Sequence, residues 1–255
     1  MKICIDAGHN YSLYDTGAVG NGLREQDITF SIADKLKDLL KSAGAEVVMT
    51  RPDIKTNVGK NADDSIIQRY KIANNNKCDY FISIHCNSFE NPSANGTETL
   101  IVGRGGEAEK LAEKVNSEIV KTLNTSDRGI KVRGDLGVLK YTNMPAILVE
   151  CAFISNTKDA QLLRDKQTEF ATAIFNGFCN YKGIERSNNI ETGNDIDYAL
   201  KVKYGITFES LENEKAFIRE LDELRVKDSK AYWVFYKLVN GIAWKWEGRE
   251  KWNIS

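Results

Sequence analysis

Short, continuously apolar segments alternate with longer segments of helical periodicity along the first 181 residues. Strands are predicted at 2–6, 45–49, 79–84, 98–102 and 146–150, and a segment at 137–141 is expected to pair with 146–150 in a hairpin-like arrangement. Helices are predicted at 25–43, 65–74, 106–123 and 157–181. Strands that are apolar throughout are covered on both faces, so the pattern predicts an α/β fold with a twisted, mostly parallel sheet flanked by helices.

The character of the chain changes after residue 181. Residues 182–194 are polar and rich in Gly, Asn and Ser, which predicts a linker. Residues 195–255 show helical spacing without a clear strand. We therefore expect one α/β domain at 1–181 and a small, mainly helical domain at 195–255. The second domain contains all four tryptophans of the chain, which either build its core or face a ligand: Trp233, Trp244, Trp246 and Trp252.

The composition excludes several classes of protein. Lys and Arg number 35 against 36 Asp and Glu, so the net charge is −1 and no basic excess favours nucleic-acid binding. No apolar stretch approaches the roughly 18 residues that a membrane span needs, so we expect no integral membrane association. The five cysteines are odd in number and form no C-x-x-C pair, which favours reduced thiols over a disulfide framework or a zinc knuckle.

The N-terminal residues lack the basic region and the apolar run of a secretory signal. A short β-prone segment, KICID, begins at residue 2 instead. We therefore expect the protein to be made and held in the cytoplasm until lysis or non-classical export releases it.

Four side chains with catalytic or metal-binding chemistry are predicted to meet at one edge of the sheet. His9 follows the first strand after a glycine turn, and His85 and Glu150 each close a later strand. Glu25 starts the helix that leaves the first loop. Ligands of open α/β sheets bind outside the carboxyl ends of the parallel strands, so we expect these four residues to form one site.

Two imidazoles and one carboxylate are the donor set of hydrolytic zinc sites, which keep a fourth position for water. Zinc lowers the pKa of this water to roughly 7. A second carboxylate can take the proton as water attacks a carbonyl and pass it to the leaving nitrogen. From the residues alone, Glu25 and Glu150 can exchange these two roles. His9 and His85 are the only histidines in the chain, so neither is left for another purpose.

Several neighbours of the predicted site have roles of their own. Asp6 and Asn87 stand near the two histidines and could orient an imidazole or cap a loop. Arg69 is interpreted as a structural anchor. Cys86 and Cys151 alternate with the site residues along their strands, so they are expected to face the opposite side of the sheet and to pack there.

Six motif regions follow one another in order: IDAGHN (5–10) with DTGA (15–18), GLREQD (22–27), TRPD (50–53), RYKIAN (69–74), SIHCNS (83–88) and MPAILVECAFISN (144–156). Through these motifs, roughly residues 1–181 resemble the zinc-dependent N-acetylmuramoyl-L-alanine amidases of the Amidase_3 family. The resemblance implies a twisted sheet wrapped by helices and one catalytic Zn²⁺ held by His9, Glu25 and His85. It also implies that Glu150 is the catalytic acid/base. The implied reaction is hydrolysis of the amide that joins the lactyl group of N-acetylmuramic acid to L-alanine.

Bacterial peptidoglycan is therefore the expected partner, and a phage endolysin or a bacterial autolysin is the expected kind of enzyme. A zinc carboxypeptidase or deacetylase acting on the same polymer is an alternative with the same His and Glu chemistry. A catalytically inactive wall-binding protein is another alternative, but it would lack one of the four site residues, and all four are present. For the domain at 195–255 we expect cell-wall binding, with a homodimer interface as the alternative.

Overall fold

A computed structural model describes residues 1–184 of the chain. The predicted helical domain at 195–255 lies outside the described residues, as does nearly all of the predicted linker. The described strands are β1 (Lys2–Ala7), β2 (Val19–Gly20), β3 (Leu23–Arg24), β4 (Glu46–Met49), β5 (Tyr80–Asn87), β6 (Thr97–Ile101), β7 (Asp127–Val132) and β8 (Ala146–Phe153). The described helices are α1 (Glu25–Ser42), α2 (Ala62–Asn75), α3 (Glu107–Leu123), α4 (Gly137–Lys140), α5 (Thr157–Asp165) and α6 (Gln167–Lys182).

Six strands form one sheet in the order β4-β1-β5-β8-β6-β7, and β2 pairs with β3 in a separate antiparallel ribbon. Within the sheet only the β6–β8 pair is antiparallel, and the other four neighbouring pairs are parallel. The predicted mostly parallel sheet is therefore confirmed. Because β1, β5 and β8 are adjacent and parallel, their carboxyl ends lie at the same edge.

Helices cover both faces of the sheet. On one face, α1 and α3 pack against the strands and against α6. On the other face, Ala73 of α2 and Leu139 of α4 join Phe81, Leu100 and Leu148 of the sheet in one apolar cluster. The strands between these layers are buried on both sides, which is why their sequences are apolar throughout. No helix within residues 1–184 has the length and apolar character needed to cross a membrane.

The hairpin predicted for 137–141 and 146–150 is wrong. Residues Gly137–Lys140 form the short helix α4, and β8 lies between β5 and β6 rather than beside 137–141. Val138 and Leu139 are adjacent in sequence and are both buried, because α4 rests on the β8 side of the sheet. An apolar run this short fits a helical turn as well as a strand, and the tertiary packing decides between them.

One predicted helix and one strand also differ from the predictions. The helix predicted for 157–181 is interrupted at Lys166, which has φ −124° and ψ 31°, and no glycine or proline in the sequence marks this break. Strand β7 was not predicted. It is an edge strand with mostly exposed side chains, so it lacks the continuous apolar run that identified the inner strands.

Candidate metal centre

His9 lies in the turn that follows β1. Its φ is +66°, in the left-handed region that residues other than glycine rarely adopt, so the surrounding contacts must hold the backbone there. Arg69 of α2 supplies such contacts, because its guanidinium donates to the backbone oxygens of Ala7 at 2.8 Å and His9 at 2.6 Å. The same guanidinium pairs with buried Asp6 at 2.7 Å. Arg69 is thus the structural anchor that the sequence analysis expected.

His85 lies on β5, next to the carboxyl end of β1. The absence of a side chain at Gly8 makes room for its ring, since a Cβ on Gly8 would lie 2.5 Å from Nε2 of His85 and 2.6 Å from the backbone oxygen of Ile84. Nε2 therefore faces Gly8, and Nδ1 faces Glu25 at 3.2 Å. This packing leaves Nδ1 as the ring nitrogen available to a metal ion.

Glu25 is the first residue of α1 and its side chain is almost fully buried. Its Oε1 accepts from the backbone N–H of Cys86 at 2.9 Å, and its Oε2 accepts from that of Ala18 at 2.8 Å. Burial raises the pKa of Glu25, but its hydrogen bonds to His85 and His9 outweigh burial and hold the pKa far below its usual value. Glu25 is therefore a carboxylate held in position between the two histidines.

The three candidate ligands converge on a single point. Oε1 of Glu25 lies 3.1 Å from Nε2 of His9 and 3.2 Å from Nδ1 of His85. All three donor atoms lie within 4.8 Å of one another. Two imidazole nitrogens and one carboxylate oxygen arranged in this way fit the donor set of a hydrolytic zinc site with an open position.

Asp15 is the residue of this site that the sequence analysis missed. Its Oδ1 lies 2.8 Å from Nδ1 of His9, and its Oδ2 accepts from the Ser65 hydroxyl at 2.9 Å. Burial lowers the pKa of His9, but the hydrogen bonds to Asp15 and Glu25 outweigh burial and raise it to about 9. A metal ion that binds Nε2 must displace this proton. The signal was the DTGA motif, in which an aspartate follows the histidine by only six residues.

The two polar neighbours proposed to orient the histidines do other things. Asp6 accepts from Arg69, from Thr50 at 2.6 Å and from Ser83 at 2.7 Å, all beneath the first loop. Asn87 donates to Glu98 at 2.9 Å. Neither side chain makes a hydrogen bond to an imidazole, so of the two suggested roles the orienting one is not seen. The capping role is seen for Asn87, whose Oδ1 accepts from the backbone N–H of Ser88 at 2.9 Å.

Glu150 lies directly beside His85 in the β5–β8 register but belongs to no metal-ligand group. Its Oε2 is buried and has no hydrogen-bond partner among the described residues. Burial, followed by the charges of Glu25 and Glu98, raises the pKa of Glu150 to about 8, while His9 and Arg133 act in the opposite direction. Glu150 is thus able to hold or release a proton near neutral pH, as a general acid/base must. The structure brings together all four residues named from the sequence.

Cys86 and Cys151 lie on the opposite side of the sheet from His85 and Glu150 and are buried, as predicted. Burial raises the pKa of the Cys151 thiol well above its usual range and has the same effect on Cys86. Both are therefore packing residues rather than thiolate ligands.

Comparisons with known proteins agree with the motifs. The family model described as N-acetylmuramoyl-L-alanine amidase (Amidase_3) matches residues 3–180. The uncharacterized protein YqiI of Bacillus subtilis is 39% identical over 70% of this chain and 84% of its own length. The N-acetylmuramoyl-L-alanine amidase LytC of Bacillus subtilis is 34% identical over 70% of this chain, a match that spans 35% of LytC. The endolysin of Bacillus phage SPP1 is 33% identical over 74% of this chain and 66% of its own length.

The fold has close counterparts among solved structures. The CwlD amidase of Clostridioides difficile, solved in complex with the GerS lipoprotein, matches with a TM-score of 0.67 and 31% identity, over 72% of this chain and 99% of CwlD. The family match covers well over half of the chain and includes all four site residues. This chain therefore belongs to the Amidase_3 family of N-acetylmuramoyl-L-alanine amidases.

Proposed function

We propose that this protein is a zinc-dependent hydrolase that cleaves the amide between the lactyl group of N-acetylmuramic acid and L-alanine in peptidoglycan. One observation carries the proposal: His9, Glu25 and His85 converge on one point, while the buried carboxyl of Glu150 lies beside them without a partner. Family membership supplies the substrate class.

In this proposal His9 would hold the zinc ion through Nε2, His85 through Nδ1 and Glu25 through its carboxylate. When bound, zinc acts as a Lewis acid that polarises the amide carbonyl and makes water more acidic. Glu150 takes one proton from water as the water oxygen bonds to the carbonyl carbon. It then gives that proton to the amide nitrogen as the C–N bond breaks, so the products are the muramic acid carboxyl and the free amino group of L-alanine.

The role of Glu150 is tested by separating metal binding from turnover. Glu150→Gln keeps the shape of the side chain and leaves the three ligands intact, so it should retain zinc while lowering kcat by at least about 100-fold. His85→Ala removes a ligand and should lose zinc itself. Glu113→Gln, an exposed change on α3, is the matched control and should leave both quantities unchanged. Metal analysis that finds an empty site in Glu150→Gln would contradict the assignment.

The bond that is cleaved is tested by mass spectrometry of digested cell walls. New N-terminal L-alanine together with intact glycan supports the amidase reaction. Loss of a C-terminal residue would instead indicate a carboxypeptidase, and loss of acetyl groups would indicate a deacetylase.

We also propose that the enzyme contributes to cell-wall lysis. The match to the SPP1 endolysin supports this role. Addition of the zinc-loaded protein to suspended bacterial walls should lower their turbidity, and Glu150→Gln should not. Stable turbidity despite muropeptide release would separate amidase activity from lysis.

A further inference from the structure

Phe89 carries an exposed phenyl ring on the loop that follows β5. The residue is 61% exposed, and its ring makes no aromatic contact with any other residue in 1–184. Tyr141 is also exposed, but its ring packs against Tyr70 with the ring centres 5.4 Å apart. Phe89 therefore presents an apolar surface that a ligand can cover.

Phe89 lies at the catalytic edge of the sheet. It follows the candidate ligand His85 by four residues, so the two Cα atoms are at most about 14 Å apart. Its backbone N–H donates to the hydroxyl of Ser155 at 3.1 Å, just beyond the end of β8. The residue is thus fixed to the ends of the two strands that carry His85 and Glu150, within reach of a glycan whose muramoyl residue is at the metal centre.

The loop that carries Phe89 is held at two further points. The backbone oxygen of Pro92 accepts from the side chain of Asn156 at 2.7 Å. The backbone N–H of Gly96 donates to buried Asp159 at 2.8 Å. Because these contacts set the course of the loop before a substrate binds, little ordering of its backbone opposes binding.

A polar groove with a volume of about 770 Å³ begins beside this loop. It lies at the amino ends of β6 and β7, and because β6 runs antiparallel to β8, this is the edge at which β8 presents Glu150. Its one acidic side chain, Asp159, is buried and accepts from the backbone N–H groups of Gly96 and Phe153. The groove is lined mainly by neutral amide and hydroxyl side chains: Asn95, Asn124, Thr125, Ser126, Asn156 and Gln161.

The two parts of the substrate on either side of the cleaved amide differ in charge. The glycan is uncharged once its lactyl carboxyl is in amide linkage, and its rings combine apolar faces with hydroxyl and acetamido edges. The peptide stem carries carboxylates, which exposed Glu90, the residue next to Phe89, would repel. An apolar ring followed by neutral amide groups therefore suits the glycan better than the stem.

We propose that Phe89 stacks on the sugar next to the muramoyl residue that is cleaved, and that the groove binds the sugars beyond it. The enzyme then prefers stems attached to a glycan strand over stems attached to a single muramoyl residue. This inference rests on the proposed amidase function.

The test uses the zinc-loaded full-length chain and two substrates with the same peptide stem. One carries the stem on a single N-acetylmuramic acid, and the other is the tetrasaccharide of alternating N-acetylglucosamine and N-acetylmuramic acid with a stem on both muramoyl residues. Per stem, wild type should show a kcat/KM about tenfold or more higher on the tetrasaccharide. Phe89→Ala should lower kcat/KM about tenfold on the tetrasaccharide and less than about twofold on the single muramoyl peptide.

Three further variants sharpen this comparison. Phe89→Trp keeps an aromatic surface and should retain the preference for the tetrasaccharide. Gln161→Trp places a large side chain in the groove and should reduce that preference. Tyr141→Ala is the matched control, because Tyr141 is 54% exposed but precedes the amino end of β8, at the opposite edge of the sheet. It should leave kcat/KM on both substrates unchanged.

Equal losses of Phe89→Ala on both substrates would assign Phe89 to the stem or to the muramoyl ring and overturn the proposal, as would no loss on either. The affinity for chitotetraose, an uncharged glycan without a stem, gives a readout independent of turnover. Calorimetry should find it about tenfold weaker for Phe89→Ala than for wild type, and comparing two forms of the same chain cancels glycan binding elsewhere.

The proposed function and this inference fail in different ways. A wild-type protein that cleaves neither substrate but binds chitotetraose through Phe89 would contradict the amidase function and support the glycan subsite. Cleavage of both substrates with equal kcat/KM, together with equal chitotetraose affinities of wild type and Phe89→Ala, would do the reverse.

Discussion

The Nδ1 atom of His9 lies 2.8 Å from Oδ1 of Asp15, so this carboxylate determines which nitrogen of the ring faces Glu25. Carboxylates that hydrogen-bond a ligating histidine fix its tautomer and orientation and increase its basicity. Because Asp15 has a positive φ of 54°, the short loop from His9 to Asp15 turns back on itself to make this contact.

Asp15→Asn should weaken zinc binding by about tenfold or more. Asparagine tolerates the backbone conformation, and its amide oxygen can still accept from His9. The amide nitrogen cannot accept from Ser65, so the change removes the negative charge together with that one hydrogen bond. Competition with a chromogenic chelator measures the affinity. Asp53→Asn removes an equal charge from an exposed turn and should leave zinc affinity unchanged. Equal affinities of Asp15→Asn and wild type would show that the charge does not act on the metal centre.

Gly17→Ala should damage the metal centre through direct contact. A Cβ on Gly17 would lie 2.7 Å from Cδ2 of His9 and 2.9 Å from Oε2 of Glu25, so two ligands would have to move. We expect about tenfold weaker zinc binding. Gly22 has a nearly identical φ of +75° but has nothing within 4 Å of its Cβ position. Both variants should lose about 1 kcal/mol of stability, because alanine is strained at this positive φ. Only Gly17→Ala should lose zinc affinity, and Gly22→Ala should retain it. Thermal unfolding measures the stability of both variants, and chelator competition measures their zinc affinity. A loss of zinc affinity in Gly22→Ala would refute the steric explanation.

Asp6→Asn should destabilise the fold in a pH-dependent way. Burial raises the pKa of Asp6, but the Arg69 charge and the hydrogen bonds from Ser83 and Thr50 outweigh burial and lower it. The ionised carboxyl therefore stabilises the fold above the pKa of the unfolded carboxyl, about 4, and this contribution is lost as the pH falls through the folded-state pKa. At pH 7 we expect a loss of about 3 kcal/mol, because buried Arg69 loses its nearest carboxylate and keeps only that of Asp15, at 3.9 Å.

The difference between wild type and Asp6→Asn should shrink as the pH falls below about 4. Urea unfolding at neutral pH and at acid pH measures it. Asp63→Asn, at an exposed position of α2, should change the free energy of unfolding by less than about 1 kcal/mol. A difference between wild type and Asp6→Asn that is constant with pH would mean that the carboxyl acts by shape rather than by charge.

Removal of residues 190–255 should reduce pelleting of the protein with purified cell walls, since we predict a wall-binding role for that segment. The change leaves every residue of the metal centre in place, so hydrolysis of a small soluble muramoyl peptide should persist. Unchanged pelleting would rule out wall binding by the segment. Light scattering of the same variant tests the alternative, because loss of a dimer would assign the segment to assembly.

Much of the site could be predicted because its residues sit at the ends of apolar strands. His85 and Glu150 end or nearly end such runs, and parallel strands bring their carboxyl ends to one edge whatever the connections between them. The roles of Glu25 and Glu150 could not be separated in this way. Glu25 lies within reach of both imidazoles only because α1 begins against the end of β5, where the Cys86 N–H fixes its carboxylate.

The amino-acid sequence by itself determined the inner strands of the sheet, most of its helical cover and the four chemically important side chains. Burial on both faces requires apolar strands, and His and carboxylate side chains are the donors that a hydrolytic metal site needs. The tertiary structure alone decided the features that depend on contacts between distant segments. Asp15 reaches His9 only through a left-handed turn, α4 became helical by packing beside β8, and the exposed strand β7 exists because β6 provides its hydrogen-bond partners. Such contacts leave no periodic pattern in the chain, because each is made by one or two residues whose partners are set by the fold.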